Sequence, residues 1–192
     1  MQLYGSLTSP YVRRLRALAI EQNIQFDFLN LNIFAEHDRK TLVKLNPTRK
    51  IPMLVDGEQV IFDSNVIYRY LGQKLGFSPL SWDQENTLTL INSANDSLVE
   101  LLICKRSDFD TNDDKLFFNL QRDRVQGVLS VLNDAAEKGE FNDYNYLAIS
   151  LYCLVDWIIF RDLTDLSAFT ALLDFHAAHQ QRTSNTETAP KD

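Results

Sequence analysis

The residues best placed to do chemistry are Thr8-Ser9-Pro10-Tyr11-Val12-Arg13, just after a short apolar segment near the start of the chain. A redox pair of the Cys-x-x-Cys kind would put thiols at positions 9 and 12; here Ser9 and Val12 stand there. Ser9 suits a helix N-cap, because its hydroxyl can accept a hydrogen bond from a backbone N–H that a helix leaves unpaired. Pro10 suits the first helical position, where a missing N–H costs nothing and φ is already helical. A hydroxyl is then held at the positive end of a helix, where a thiolate is stabilised. The arrangement fits the holding of another molecule's sulfur. It also fits a plain helix start, and the hexapeptide alone does not separate the two.

The elements that must position Ser9 follow from periodicity. Gln2 to Ser6 reads as a short strand. Pro10 to Gln22 reads as a helix with Val12, Leu15, Leu18 and Ala19 on one face. Gln25 to Leu31 alternates as a strand around Phe26, Phe28 and Leu29, and Glu36 to Leu45 reads as a short helix. Pro52 to Phe62 reads as a hairpin, with Asp56-Gly57 supplying a type I′ turn. Asp63 caps a further helix whose apolar face is Val66, Ile67, Tyr70 and Leu71, and Gly76 ends it. The order β-α-β-α-β-β-α predicts a mixed four-stranded sheet covered by helices over residues 1–76. Residues 77–83 read as a linker. The helical segments beyond it, roughly 84–105, 113–136, 145–161 and 166–181, form an all-helical second domain over 84–181. Residues 182–192 are polar and read as a frayed tail.

Bulk properties narrow the function. The 192 residues are 45% apolar and 23% charged, ordinary for a globular protein that buries a substantial core. Residues 1–76 hold 10 Lys/Arg against 7 Asp/Glu, a net of +3; the remainder holds 9 against 19, a net of −10. An acidic whole argues against nucleic acid, whose phosphates demand a basic face. The mildly basic front suits a small anionic ligand. The longest apolar stretch, Leu147 to Phe160, is interrupted by Ser150 and Asp156 and is shorter than the ~20 residues of a bilayer span, so no membrane partner is expected. No signal peptide is legible. Cys104 and Cys153 lie 49 residues apart and, like His37, His176 and His179, make no metal-ligand spacing. Free thiols, no metal and a cytoplasmic location are the expectations.

Three stretches in order carry a resemblance: Leu3-Tyr4 through Arg16, Leu45-Asn46-Pro47-Thr48-Arg49-Lys50-Ile51-Pro52-Met53-Leu54-Val55, and Phe62-Asp63-Ser64-Asn65 running into a helix. Together they resemble the cytosolic glutathione S-transferases, and most of all their bacterial members with serine at the catalytic position. The resemblance covers nearly the whole chain. It implies a thioredoxin-like domain followed by an all-helical domain, usually as a homodimer. It further implies glutathione as a co-substrate with no other cofactor, and a small electrophilic apolar substrate between the domains.

The resemblance also assigns roles. Ser9 falls at the catalytic position, where its O–H would donate to the glutathione sulfur. A free thiol has a pKa of ~8.5, so a shift of about two units makes thiolate the major form at neutral pH. Ile51-Pro52 matches a cis-proline position. A cis X–Pro bond costs little, and the Ile51 backbone would pair with the cysteinyl part of an extended tripeptide. Asp63 and Ser64 at a helix start would take the γ-glutamyl ammonium and carboxylate. Arg49 or Lys50 would meet the glycyl carboxylate, and His37 falls where some members use histidine for that end. Tyr4 is the rival activator. It lies one residue off the register other members use and reads as core; Ser6 and Thr8 are weaker rivals.

The second half departs from the family pattern. Its central helix opens Asn145-Tyr146-Leu147-Ala148, where Asn145 can cap but Ala148 cannot reach back to complete a capping box. The second-substrate positions, around Leu7 and Tyr11 and including Ser97, Leu101 and Arg106, indicate no chemical class. Two other functions remain open on this sequence: an interaction or regulatory protein of the same fold, and a glutathione-dependent reductase or peroxidase.

Overall fold

The computed structural model of the chain describes residues 1–33 and 35–191. The chain forms two units, Met1–Pro79 together with the segment from Gln180 onward, and Leu80–His179.

The first unit runs β1 (Gln2–Gly5), α1 (Pro10–Glu21), β2 (Asp27–Asn30), α2 (Glu36–Leu45), β3 (Met53–Asp56), β4 (Gln59–Phe62) and α3 (Ser64–Leu75). The sheet order is β2-β1-β3-β4, with β1 parallel to β2 and antiparallel to β3, and β3 antiparallel to β4. This is the expected thioredoxin-like mixed sheet. Val12, Leu15, Leu18 and Ala19 of α1 are buried, as the helical spacing requires, along with Ile67 and Leu71 of α3. A second cluster gathers Leu31, Leu42 and Met53, with Tyr4, Ile51 and Phe62 packed against it. Gly5 is needed where β1 meets α1, because a Cβ there would stand 2.3 Å from Val12 Cγ2.

The structure differs from the sequence-based expectations at three places in this unit. The hairpin's central residues are Gly57 and Glu58, not Asp56 and Gly57, because Asp56 still pairs with Gln59. Of the two, only Gly57 has positive φ, +61°, the type II′ requirement rather than the I′ one. Val66 is exposed, while Ser64, three residues before Ile67, joins Ile67 and Leu71 on the buried face. The largest difference is the polar tail. Thr183–Glu187 form α8, and Ser184, Asn185 and Thr188 are buried. Low apolar content suggested fraying, but the polar side chains find specific partners on α1 instead. Asp192, the last residue of that segment, lies outside the described residues.

The second unit is helical throughout: α4 (Trp82–Arg106), α5 (Leu116–Glu137), α6 (Tyr146–Arg161) and α7 (Thr170–His179). Ser81 and Gln84 form a capping box that starts α4. Asn145 caps α6 alone, its Oδ1 accepting from the N–H groups of Leu147 (2.9 Å) and Ala148 (3.3 Å). Twelve of the 16 residues of α6 are buried, so it is the core helix of this unit. Among the described residues no helix is long and apolar enough to cross a membrane.

Candidate functional site

Register alone gathers the candidate residues at one end of the sheet. Tyr4 near the end of β1 pairs with Met53 at the start of β3, and Met53 pairs with Phe62 at the end of β4. The loop after β1, the residue before β3 and the residues after β4 therefore meet there. These are Ser9, Pro52 and Asp63-Ser64.

Ser9 stands in extended backbone as the N-cap of α1, with Pro10 in the first helical turn. Its Oγ accepts the Val12 N–H at 3.3 Å. Among the described residues the Ser9 hydroxyl donates to no protein atom, so its proton is available to a ligand acceptor. The loop leading to it is braced locally: Leu7 N–H donates to Asn30 Oδ1 (3.2 Å) and Ser9 N–H to Ser6 O (3.2 Å). The Tyr4 proton is committed, and so is one of the two protons of the Ser6–Thr8 pair. Ser6 and Thr8 share a hydrogen bond of 3.1 Å, and the Tyr4 hydroxyl donates to Gln2 Oε1 at 3.1 Å while its ring packs in the second core cluster.

The Ile51–Pro52 peptide is cis. Pro52 is buried, and pairing of β3 begins only at Met53, so Ile51 stands ahead of the ladder. The approach to it is built by Asn46, a residue the sequence reading gave no role of its own. Asn46 is 1% exposed. Its Nδ2 donates to Lys50 O (2.8 Å), and its Oδ1 accepts from the Thr48 N–H (2.9 Å) and hydroxyl (2.8 Å). The Asn-Pro-Thr triplet is the local signal, since Asn side chains stabilise such turns by bonding the backbone two residues on. Arg49 and Lys50 at the end of this loop are exposed and make no side-chain bond among the described residues, as is true of His37 on α2.

Asp63 and Ser64 divide the start of α3 between them. Asp63 is exposed, and its Oδ1 accepts from the Asn65 (2.8 Å) and Val66 (3.2 Å) N–H groups. Ser64 is 2% exposed. Two residues of the cluster lie in the positive-φ region that costs a non-glycine residue roughly 1–3 kcal/mol: Arg49 at φ +58° and Asp63 at +72°. Such strain persists only where the surroundings over-determine it, and both residues flank the Met53 end of the sheet.

The shifted titrations lie elsewhere. Lys74, then the Tyr70 hydroxyl, hold the Asp56 carboxyl below the usual carboxylate range. The hydrogen bond to Asp56 in turn raises Lys74 and Tyr70. That cluster sits at the turn end of the β3–β4 hairpin, away from Met53. Among the described residues no group of three or more His, Cys, Asp or Glu could hold a metal ion.

Comparison with known proteins bears on this arrangement. Residues 1–73 match the family model described as the glutathione S-transferase N-terminal domain. An uncharacterized GST-like protein, YibF of Escherichia coli K12, is 28% identical over 174 residues, which covers 84% of this chain and 83% of that one. Glutathione S-transferase 3 of Zea mays is 35% identical over 75 residues, 38% of this chain and 34% of that protein. This match spans about a third of the maize protein. A glutathione S-transferase from Methylobacillus flagellatus KT, solved with GSH bound, superposes with a TM-score of 0.86 at 23% identity and covers 99% of both chains. The fold is that of the glutathione S-transferases.

Proposed function

We propose that the chain belongs to the glutathione S-transferase family and binds glutathione at the Met53 end of the first unit's sheet. It activates the thiol with Ser9 and transfers it to an electrophilic apolar substrate. The single observation that carries this is Ser9. Its hydroxyl caps the positive end of α1 with its proton uncommitted, whereas the Tyr4 proton goes to Gln2 and the Ser6–Thr8 pair, which commits one proton within itself, does not cap the helix. A donor aimed at a sulfur stabilises the thiolate more than the thiol, and the helix end adds to it. Asp63 and Ser64 hold the γ-glutamyl end, Ile51 and Pro52 present backbone to the cysteinyl part, and Arg49 or Lys50 meets the glycyl carboxylate. Glutathione is the co-substrate, and no other cofactor is needed. The working form is a homodimer in the cytoplasm, with detoxification as its role.

A second reading has a specific observation behind it. Ser9 also accepts the Val12 N–H, which a non-catalytic interaction protein of this fold would need just as much. With serine at position 9 and no thiol there, disulfide or peroxide turnover would have to run through bound glutathione alone. Retention on immobilised glutathione followed by an activity panel separates the three. Retention with conjugation of an aryl halide supports the transferase. Retention with peroxide or disulfide turnover alone indicates the reductase or peroxidase. No retention indicates the interaction protein.

A further inference from the structure

The C-terminal segment lies along α1 and grips it at both ends. At the far end, Arg182 donates to both carboxylate oxygens of Glu21, from Nε at 3.1 Å and from Nη2 at 2.8 Å, and the Ser184 hydroxyl adds a third bond at 2.5 Å. At the near end, Arg13 is 3% exposed and donates from Nη2 to Asn185 O (3.1 Å) and from Nε to Thr188 Oγ1 (3.4 Å). Thr188 is itself fixed, its hydroxyl donating to Ser184 O at 2.6 Å. Arg13 stands one turn into the helix that Ser9 caps, and its own N–H donates to Ser9 O at 3.0 Å. One side chain therefore links the C-terminal segment to the turn that carries the Ser9 hydroxyl. A buried Arg with oriented bonds to Asn185 and Thr188 is a costly way to close a surface, because breaking those bonds takes hydrogen-bond acceptors away from a buried charge.

We propose that residues 182–188 are part of the thiol-activating device, with Arg13 as the positioning residue through which they hold the first turn of α1 and hence the Ser9 hydroxyl. The claim rests on the reading of Ser9 as the thiol's donor. Losing the grip leaves the tripeptide's other contacts in place, since those come from loops after α2 and β4. It loosens only the donor. The effect is thus on the bound thiol and on turnover, not on glutathione affinity.

The test uses the full chain with Ser9→Ala, Arg13→Met, Thr188→Val and the Ser9→Ala/Arg13→Met pair, each verified as folded. Thiolate absorbance of bound glutathione is titrated against pH, and kcat and KM are measured with an aryl halide. Arg13→Met is expected to lower the thiolate fraction at neutral pH by about threefold or more and kcat in proportion, with KM for glutathione changed less than about twofold; these are order-of-magnitude expectations for a displaced hydrogen bond. Thr188→Val, a milder change, moves the same quantities in the same direction. The double variant behaves like Ser9→Ala alone, because both changes act through one hydroxyl. If Ser9→Ala shifts the thiol while neither Arg13→Met nor Thr188→Val does, or if the pair adds fully, the positioning role is wrong. If Ser9→Ala itself leaves the thiol unmoved, the reading of Ser9 fails instead. Amide hydrogen exchange at residues 11–13 without ligand decides the positioning in either case. It must quicken in Arg13→Met and Thr188→Val, and unchanged protection overturns the proposal.

Discussion

Asp63 satisfies two N–H groups of α3 with a single oxygen, and in the proposed reading its second oxygen meets the γ-glutamyl ammonium while Ser64 takes the carboxylate. The Ser64→Ala variant is expected to weaken glutathione binding by about 1–3 kcal/mol, the usual cost of losing a hydrogen bond to a charged group. Calorimetric titration measures this, with melting temperature as the control for the buried hydroxyl. Unchanged affinity would remove Ser64 from the site. At this scale the sequence was informative wherever the signal is local. Ser9, Asp63 and Asn145 all cap as read, because an N-cap needs only its own side chain and the next three residues. Asn46 escaped notice because its importance depends on burial, and burial is set by residues far along the chain.

The β3–β4 hairpin and α3 are tied at the turn end by Asp56, Tyr70 and Lys74, and this tie has a pH signature. The folded Asp56 carboxyl is held low, so its stabilisation is present above the unfolded carboxylate range and is lost as pH falls through the folded value. Lys74 is raised, so its share is present below its unfolded range and is lost as pH rises through the folded value. Asp56→Asn should therefore melt below the parent at neutral pH, with the gap closing in strong acid and again in strong alkali. Melting curves across that range check it; a gap that persists undiminished into strong acid would show that the tie is not ionic. Element types and order were legible from periodicity, as α2 at Glu36–Leu45 illustrates. Turn type was not. It depends on which two residues the ladder leaves unpaired, and that pairing continued one residue further than Asp56-Gly57 suggested.

At the scale of the molecule, composition misled at the C-terminus. A polar segment folds here because Glu21 and Arg13, both on α1, supply partners that no window of local sequence contains. The same whole-chain view predicts no role for thiols of the protein itself. Cys153 is buried in α6 and Cys104 is partly buried in α4, and neither forms a disulfide. Changing both to Ala, with folding verified, should leave conjugation intact, as measured by turnover with an aryl halide. A proportional loss would point to a cysteine-based mechanism.

The central claim is that Ser9 activates a bound thiol, and ultraviolet absorbance of the thiolate against pH tests it most directly. Glutathione complexes of the parent and of Ser9→Ala are titrated side by side, after checking that the lost cap, worth about 1 kcal/mol, has not unfolded the variant. The parent complex should ionise well below free glutathione, and Ser9→Ala should ionise at distinctly higher pH with nearly unchanged glutathione affinity, because the hydroxyl favours the charged form. Two folded complexes that titrate together would contradict the account and leave Ser9 as a helix cap only.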